Sequence, residues 1–247
     1  MSFSDEEVER YARHLMLREI GGAGQQALKA ASVLLAGLGG LGAPAGLYLA
    51  ASGVGRIGLL DPDQVALSNL QRQVLYETTD LGRDKAAVAA ERLTALNPNV
   101  RFQTHGIMLD AANAAELVGG YDLVLDGTDD FATRFAVNEA CVAAGKPLVS
   151  GAIGRWTGQI GVFEGRPCYR CLVPEIPPDA ETCAAVGVMG ALAGVIGAMM
   201  ALEAVKVITG AGEALMGRLL IYDALAAETR TVRVGADPAC PVCGGGR

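Results

Sequence analysis

Residues 32–42 read S-V-L-L-A-G-L-G-G-L-G, and this stretch decides the fold. Val33, Leu34 and Leu35 form an unbroken apolar run, the pattern of a strand buried on both faces. Gly37, Gly39 and Gly42 then make G-x-G-x-x-G, with Gly40 inside it, and Leu41 to Ala51 reads as a helix. Glycines let the backbone turn sharply and lie close to a ligand. The free N–H groups and dipole of a helix N-terminus favour phosphate. A second apolar strand, Ile57 to Leu60, ends at Asp61, 24 residues beyond Gly37, where a carboxylate meets ribose hydroxyls in such units. The stretch predicts nucleotide binding without choosing the nucleotide. The competing reading is a glycine turn that serves helix–strand packing alone.

Working outward, a polar loop, Asp63 to Gln73, carries Asn69, Arg72 and Gln73. Asp84-Lys85 opens a helix to Leu96, which Asn97-Pro98 stops. Val100 to Thr104 reads as a strand, Ala111 to Val118 as a helix, and Asp122 to Asp126 as another buried strand. That strand ends in Gly127-Thr128-Asp129-Asp130, carboxylates at the end where open α/β sheets bind ligands. A helix from Phe131 to Ala144 and a strand from Pro147 to Ser150 follow. The alternation predicts an α/β fold with a doubly wound, mostly parallel Rossmann-like sheet. Beyond Gly151, strands at Gln159–Glu164, Leu219–Asp223 and Thr231–Val234 lack crossover helices and predict an antiparallel extension. We expect one domain over 1–247: N-terminal helices (1–30), a nucleotide-binding core (31–151), and an extension with a C-terminal zinc clip (152–247).

At the N-terminus Ser4-x-x-Glu7 is a capping box, predicting a helix to about Arg18 that Gly21-Gly22 stops, then a short helix from Gln25 to Ala30. Arg10, Tyr11, Arg13 and His14 lie on the first helix; taken alone, these charges are a solvated face.

Hydrophobic residues make up 51% of the 247 and charged ones 19%, enough apolar material for a large core. The net charge of −7 disfavours non-specific nucleic-acid binding, and no nucleic-acid partner is expected. M-S-F-S-D-E-E lacks the basic start and apolar core of a signal peptide, so the cytoplasm is the expected compartment. Thr182 to Leu202 is uncharged and long enough to suggest a membrane span. Its richness in Ala and Gly and its lack of aromatic belts favour a buried helix instead, with Gly187, Gly190, Gly194 and Gly197 as a close-packing stripe.

Cys168-Tyr-Arg-Cys171 and Cys240-Pro-Val-Cys243 are two C-x-x-C pairs. Two pairs complete a tetrahedral thiolate site for Zn²⁺, structural because no coordination position stays open. Redox dithiols or accidental core cysteines are the alternative. Cys141, in an Ala-rich helix, reads as a small core residue. Cys183 follows Glu181-Thr182 just before the apolar run.

In this order, G-L-G-G-L-G, D-P-D-Q-V-A-L-S-N-L-Q-R-Q, D-G-T-D-D, C-Y-R-C, the T-C before an apolar helix and the terminal C-P-V-C resemble the MoeB/ThiF/HesA family, bacterial relatives of ubiquitin-activating enzymes. The resemblance covers nearly the whole chain, including the R-Y-A-R of the first helix. It implies ATP-dependent adenylation of the C-terminal glycine of a small ubiquitin-like sulfur-carrier protein ending in Gly-Gly. A cysteine desulfurase or rhodanese system would then supply sulfur, for molybdopterin, thiamine or related pathways. By motif, Gly37, Gly39, Gly40 and Gly42 would lie against the nucleotide and Asp61 would hold the ribose. Asn69, Arg72, Gln73 and Lys85 would meet the nucleotide and its phosphates, and Asp129 would hold Mg²⁺. Asp130 stands where relatives commonly carry Asn, which leaves open which carboxylate takes the metal. Arg13 matches an arginine donated by a partner subunit, implying a homodimer. Cys183 matches a cysteine that some relatives couple to the carrier, although adenylation needs no protein thiol. Competing readings are an NAD-dependent oxidoreductase, a zinc-clipped binding module without chemistry, and a tRNA-modifying relative.

Overall fold

The computed structural model describes residues 3–176 and 187–245, and Cys183 lies outside them. Eight strands form one sheet in the order β3-β2-β1-β4-β5-β6-β7-β8. The parallel half is β1 (Ser32–Ala36), β2 (Arg56–Leu60), β3 (Arg101–His105), β4 (Leu123–Asp126) and β5 (Leu148–Gly154). From β5 the sheet continues antiparallel through β6 (Thr157–Phe163), β7 (Arg218–Asp223) and β8 (Glu228–Arg233). The expected mostly parallel sheet with an antiparallel extension is therefore observed.

The period-2 alternation of β1 explains the double winding. Val33 and Leu35 enter one core cluster with Leu123 and Leu125, while Leu34 and Ala36 enter a second with Val124. The first lies under α4 (Gly42–Ala51), α5 (Lys85–Leu96) and a long helix at Gly190–Thr209; the second lies under α6 (Ala114–Gly119) and α7 (Phe131–Ala144). Each buried Leu or Val removes roughly 1.5–3 kcal/mol worth of apolar surface from water.

The N-terminal segment departs from expectation. The Ser4 capping box is present, but the helix breaks at Tyr11 into α1 (Asp5–Arg10) and α2 (Ala12–Leu15). Tyr11 is drawn inward: its hydroxyl accepts from Asn97 Nδ2 at 2.8 Å, and its ring fills the space beside Gly53. Gly21, at φ +53°, opens α3 (Gly21–Ala30) instead of merely ending what precedes it. The helix expected from Ala111 starts at Ala114, because Asp110 takes the N–H groups of Ala112 and Asn113.

A short helix, α8 (Tyr169–Leu172), precedes the long one, α9 (Gly190–Thr209). By length and composition α9 would fit a bilayer, yet it packs on α4, α3, β5 and β6, with Ile196, Met200 and Ala204 buried. The glycine stripe is half realised. A Cβ on Gly197 would lie 2.4 Å from the Leu41 carbonyl oxygen, and one on Gly190 2.2 Å from that of Gln71. Gly194 faces open space, and Gly187 precedes the helix at φ +74°.

Candidate active site

At the carboxyl ends of β1, β2 and β4 the chain encloses a cavity of about 620 Å³, in the range of small-molecule sites. The crevice lies between β1 and β4, whose outgoing connections run to opposite sides, to β2 and to β5, the switch point at which open α/β folds bind ligands. Gly37, Gly39, Gly40, Asp61, Asn69, Arg72, Gln73, Lys85 and Asp129 all line it. The structure thus brings these residues, named from the sequence, together at one cavity. Gly42 is the exception and does not line the cavity. Its absent Cβ would fall 1.8 Å from the Gly37 carbonyl oxygen, so Gly42 lets the turn close onto the first turn of α4. Gly37, at φ +83°, abuts the loop after β4, where a Cβ would lie 3.1 Å from the Thr128 nitrogen.

Asp61 is buried. One carboxylate oxygen accepts the Leu38 N–H at 2.8 Å and the other the Asp63 N–H at 2.9 Å. Desolvation raises its pKa from the usual 3.8, against the lowering pull of Lys85 and those N–H groups. Lys85, only 4% exposed as the first residue of α5, places Nζ 2.9 Å from Asp63 and 3.9 Å from Asp61. It is thus no ordinary surface charge. Arg72 is half-buried, rests on the Ser68 carbonyl at 3.1 Å, and runs past Gly40. Gln73 is buried beside Gly39, and its Oε1 has no hydrogen-bond partner among the described residues. A buried carbonyl without a donor costs roughly 1–3 kcal/mol, so this orphaned acceptor marks a place where a ligand donor fits.

The two neighbouring carboxylates have separate roles. Asp130 is the N-cap of α7, accepting from Ala132 N–H at 3.2 Å and Thr133 N–H at 2.7 Å. Burial opposes its ionisation, but these bonds and Arg134 hold its pKa below 3.8. Asp129 is exposed and lines the cavity, where its charge is felt by Arg134.

Sequence reasoning missed Asp126, Arg134 and Tyr169. Arg134 and Tyr169 line the cavity, and Arg134 is buried against Asp126. The available signal was an arginine one turn into the helix that follows the D-G-T-D-D loop.

Cys168, Cys171, Cys240 and Cys243 bring their sulfurs within 4.8 Å of one another. The Cys168–Cys240 and Cys171–Cys243 separations are 3.7 and 3.3 Å. Zn–S bonds of about 2.3 Å give tetrahedral edges of roughly 3.8 Å, so the donor set fits zinc in number, chemistry and spacing. Asn138 Nδ2 and the Asp237 N–H point at Cys168 and Cys171 sulfurs, donors suited to thiolates. Cys141 is buried, with its thiol pushed up to about 12 by desolvation first and Asp126 second, as fits an inert core residue. Arg13 lies exposed on α2, beside Met16, and does not line this chain's cavity.

Residues 11–242 match the ThiF family. The chain is 50% identical to the sulfur carrier protein adenylyltransferase of Thermus thermophilus, over 99% of this chain and 93% of that protein. It is 46% identical to the molybdopterin-synthase adenylyltransferase of Escherichia coli, over 98% of each. Among solved structures, that of E. coli MccB with ATP superposes with a TM-score of 0.84 at 25% identity, covering 98% of this chain and 75% of that one.

Proposed function

Because this chain belongs to the ThiF family, we propose that it is an enzyme, an adenylyltransferase that uses ATP to activate the C-terminal carboxylate of a sulfur-carrier protein. The observation that carries this reading is the convergence of Lys85, Arg72, Asn69, Gln73 and Asp129 on one cavity beside the glycine turn. A dehydrogenase site has no need of cations gathered for a triphosphate, whereas this cavity sets Arg72 and Lys85 beside the glycine turn with the exposed Asp129 carboxylate.

In our reading the carrier's terminal carboxylate attacks the α-phosphorus of ATP, the bond to the bridging oxygen breaks, and pyrophosphate leaves. An anion must approach an anion, so the site's work is positioning and charge stabilisation. Asp61 receives the ribose hydroxyls on its free lone pairs, and the orphaned Gln73 Oε1 accepts a further donor from the nucleotide. Arg72, Asn69 and Lys85 take the phosphate oxygens. Asp129 would hold Mg²⁺, whose charge offsets that of the departing pyrophosphate.

We assign the four cysteines to structural zinc and read residues 1–247 as one domain with cytoplasmic location. The carrier is expected to be small, ubiquitin-like and Gly-Gly-terminated, with a cysteine desulfurase or rhodanese as sulfur donor. We further propose a homodimer in which Arg13 enters the cavity of a second copy. Two features support it: Arg13 is exposed, and large apolar side chains stand in solvent near it (Met16, Leu17) and on the mutually packed α4 and α9 (Tyr48, Leu202). Cys183 is assigned no role in adenylation.

ATP–pyrophosphate exchange that depends on Mg²⁺ and on a Gly-Gly-terminated carrier is the direct test. Absence of exchange with every sulfur carrier of the source organism, together with tight NAD binding, would sink the proposal.

A further inference from the structure

The loop Gly127–Asp130 that carries Asp129 has no helix or strand of its own, yet its backbone is gripped from two sides. Asp126, the last residue of β4, accepts the Thr128 N–H at 3.0 Å and the Thr128 hydroxyl at 2.6 Å on one oxygen. From the other side Arg134 Nη2 donates to the Thr128 carbonyl and, at 2.8 Å, to the Gly151 carbonyl on β5. Its Nη1 lies 3.5 Å from the Ser150 hydroxyl and 4.0 Å from Asp126, and Ser150 in turn donates to Asp126 at 3.3 Å. Thr128, the residue leading into Asp129, is therefore held at its N–H, its side chain and its carbonyl.

Arg134 is only 6% exposed. Burial works against its charge, but Asp126, the Tyr169 phenol and, more weakly, the Asp129 carboxylate outweigh this and raise its pKa. Tyr169 is fixed by its backbone N–H on Asn138 Oδ1 at 2.8 Å. An arginine suits this place better than a lysine, because one planar fork reaches two carbonyls and a hydroxyl at once.

We propose that Arg134 is a positioning residue for the adenylation site: it staples the Thr128 carbonyl to β5 and thereby fixes the Asp129 carboxylate at the cavity. The proposal rests on Asp129 as the cation ligand. A residue of merely structural importance would change stability and leave the cation affinity of folded protein unaltered. A positioning residue changes that affinity, as supporting partners of metal ligands do by roughly 10–100-fold.

The test is Mn²⁺ binding to the enzyme–ATP complex, read by electron paramagnetic resonance, in wild type and in Arg134→Met, Arg134→Lys and Asp129→Ala. Arg134→Met is expected to weaken Mn²⁺ binding about tenfold or more. Arg134→Lys, which keeps the buried charge beside Asp126 but loses the fork, is expected to fall between the two. Wild-type Mn²⁺ affinity in folded Arg134→Met overturns the proposal. If Arg134→Met does not fold, Arg134→Lys decides: unaltered affinity overturns the proposal, and weakened binding supports it. Asp129→Ala separates the two levels. If it binds Mn²⁺ like wild type, the ligand assignment falls and this proposal with it. If it loses Mn²⁺ while the Arg134 variants do not, only the positioning role falls.

Discussion

Lys85 Nζ sits 2.9 Å from the carboxylate of Asp63 and 3.9 Å from that of Asp61, one partner open to solvent and the other buried. The ammonium is thus held in place before any nucleotide arrives. Lys85→Met should lower exchange by about 10²–10³, as loss of one transition-state charge contact does. Asp63→Asn removes a competitor for the phosphates, so its KM for ATP should fall by about 2–5-fold, the size of one exposed charge contact, with kcat near wild type. Steady-state kinetics of both variants check this, and a raised KM in Asp63→Asn would contradict the placeholder role.

Asp129 and Asp130 should separate cleanly. Asp129→Asn should cost orders of magnitude in Mg²⁺-dependent exchange while the protein stays folded. Asp130→Ala should lose about 0.5–2 kcal/mol of stability through the α7 cap and keep its Mg²⁺ dependence. The pKa of Asp130 is depressed on folding, so its ionic contribution is present above its unfolded value of 3.8 and is lost as pH falls through the lower folded value. The stability gap between wild type and Asp130→Asn should therefore shrink below pH 3.8, as denaturant titrations across that range would show.

Protein purified without chelator should carry one zinc per chain, and stripping it should lower the melting temperature, because a closed thiolate site contributes folding energy. Elemental analysis showing no zinc, or a melting temperature indifferent to chelation, would argue against the assignment.

Mixing Arg13→Ala chains with Asp129→Ala chains should restore about a quarter of wild-type activity, if subunits pair randomly and sites act independently. Half of the dimers are then mixed, and each has one intact site. Demonstrated subunit exchange without recovery would refute the shared site.

The parallel core was readable because buried strands such as Val33–Leu35 are apolar without interruption and the glycine turn has few conformational options. The site residues were readable because most sit at strand ends or in the loops that follow, positions fixed by topology. Two kinds of feature were hidden. Tyr11 breaks the first helix through a contact with Asn97, 86 residues away, which no local pattern encodes. Arg134 looked like one charge on an ordinary helix. Its importance arises only when β4, β5 and α7 converge around Thr128. Gly42 was read as touching ligand because its motif does so elsewhere, while here its lack of a side chain admits the Gly37 carbonyl.

The cysteine cluster joins points 72 residues apart, and α9, β7 and β8 lie within that span. β8 is an edge strand with every residue exposed, the kind of element that ordinarily frays by itself. With the proposed zinc bound, both ends of the span would be pinned, and a large excursion of the outer strands would have to part the thiolates as well. Local breathing would thereby become a concerted opening of the antiparallel half. Hydrogen exchange should report this as β7 and β8 amides sharing one opening free energy in the metal-loaded protein, and as separate, faster exchange of β8 once the metal is removed.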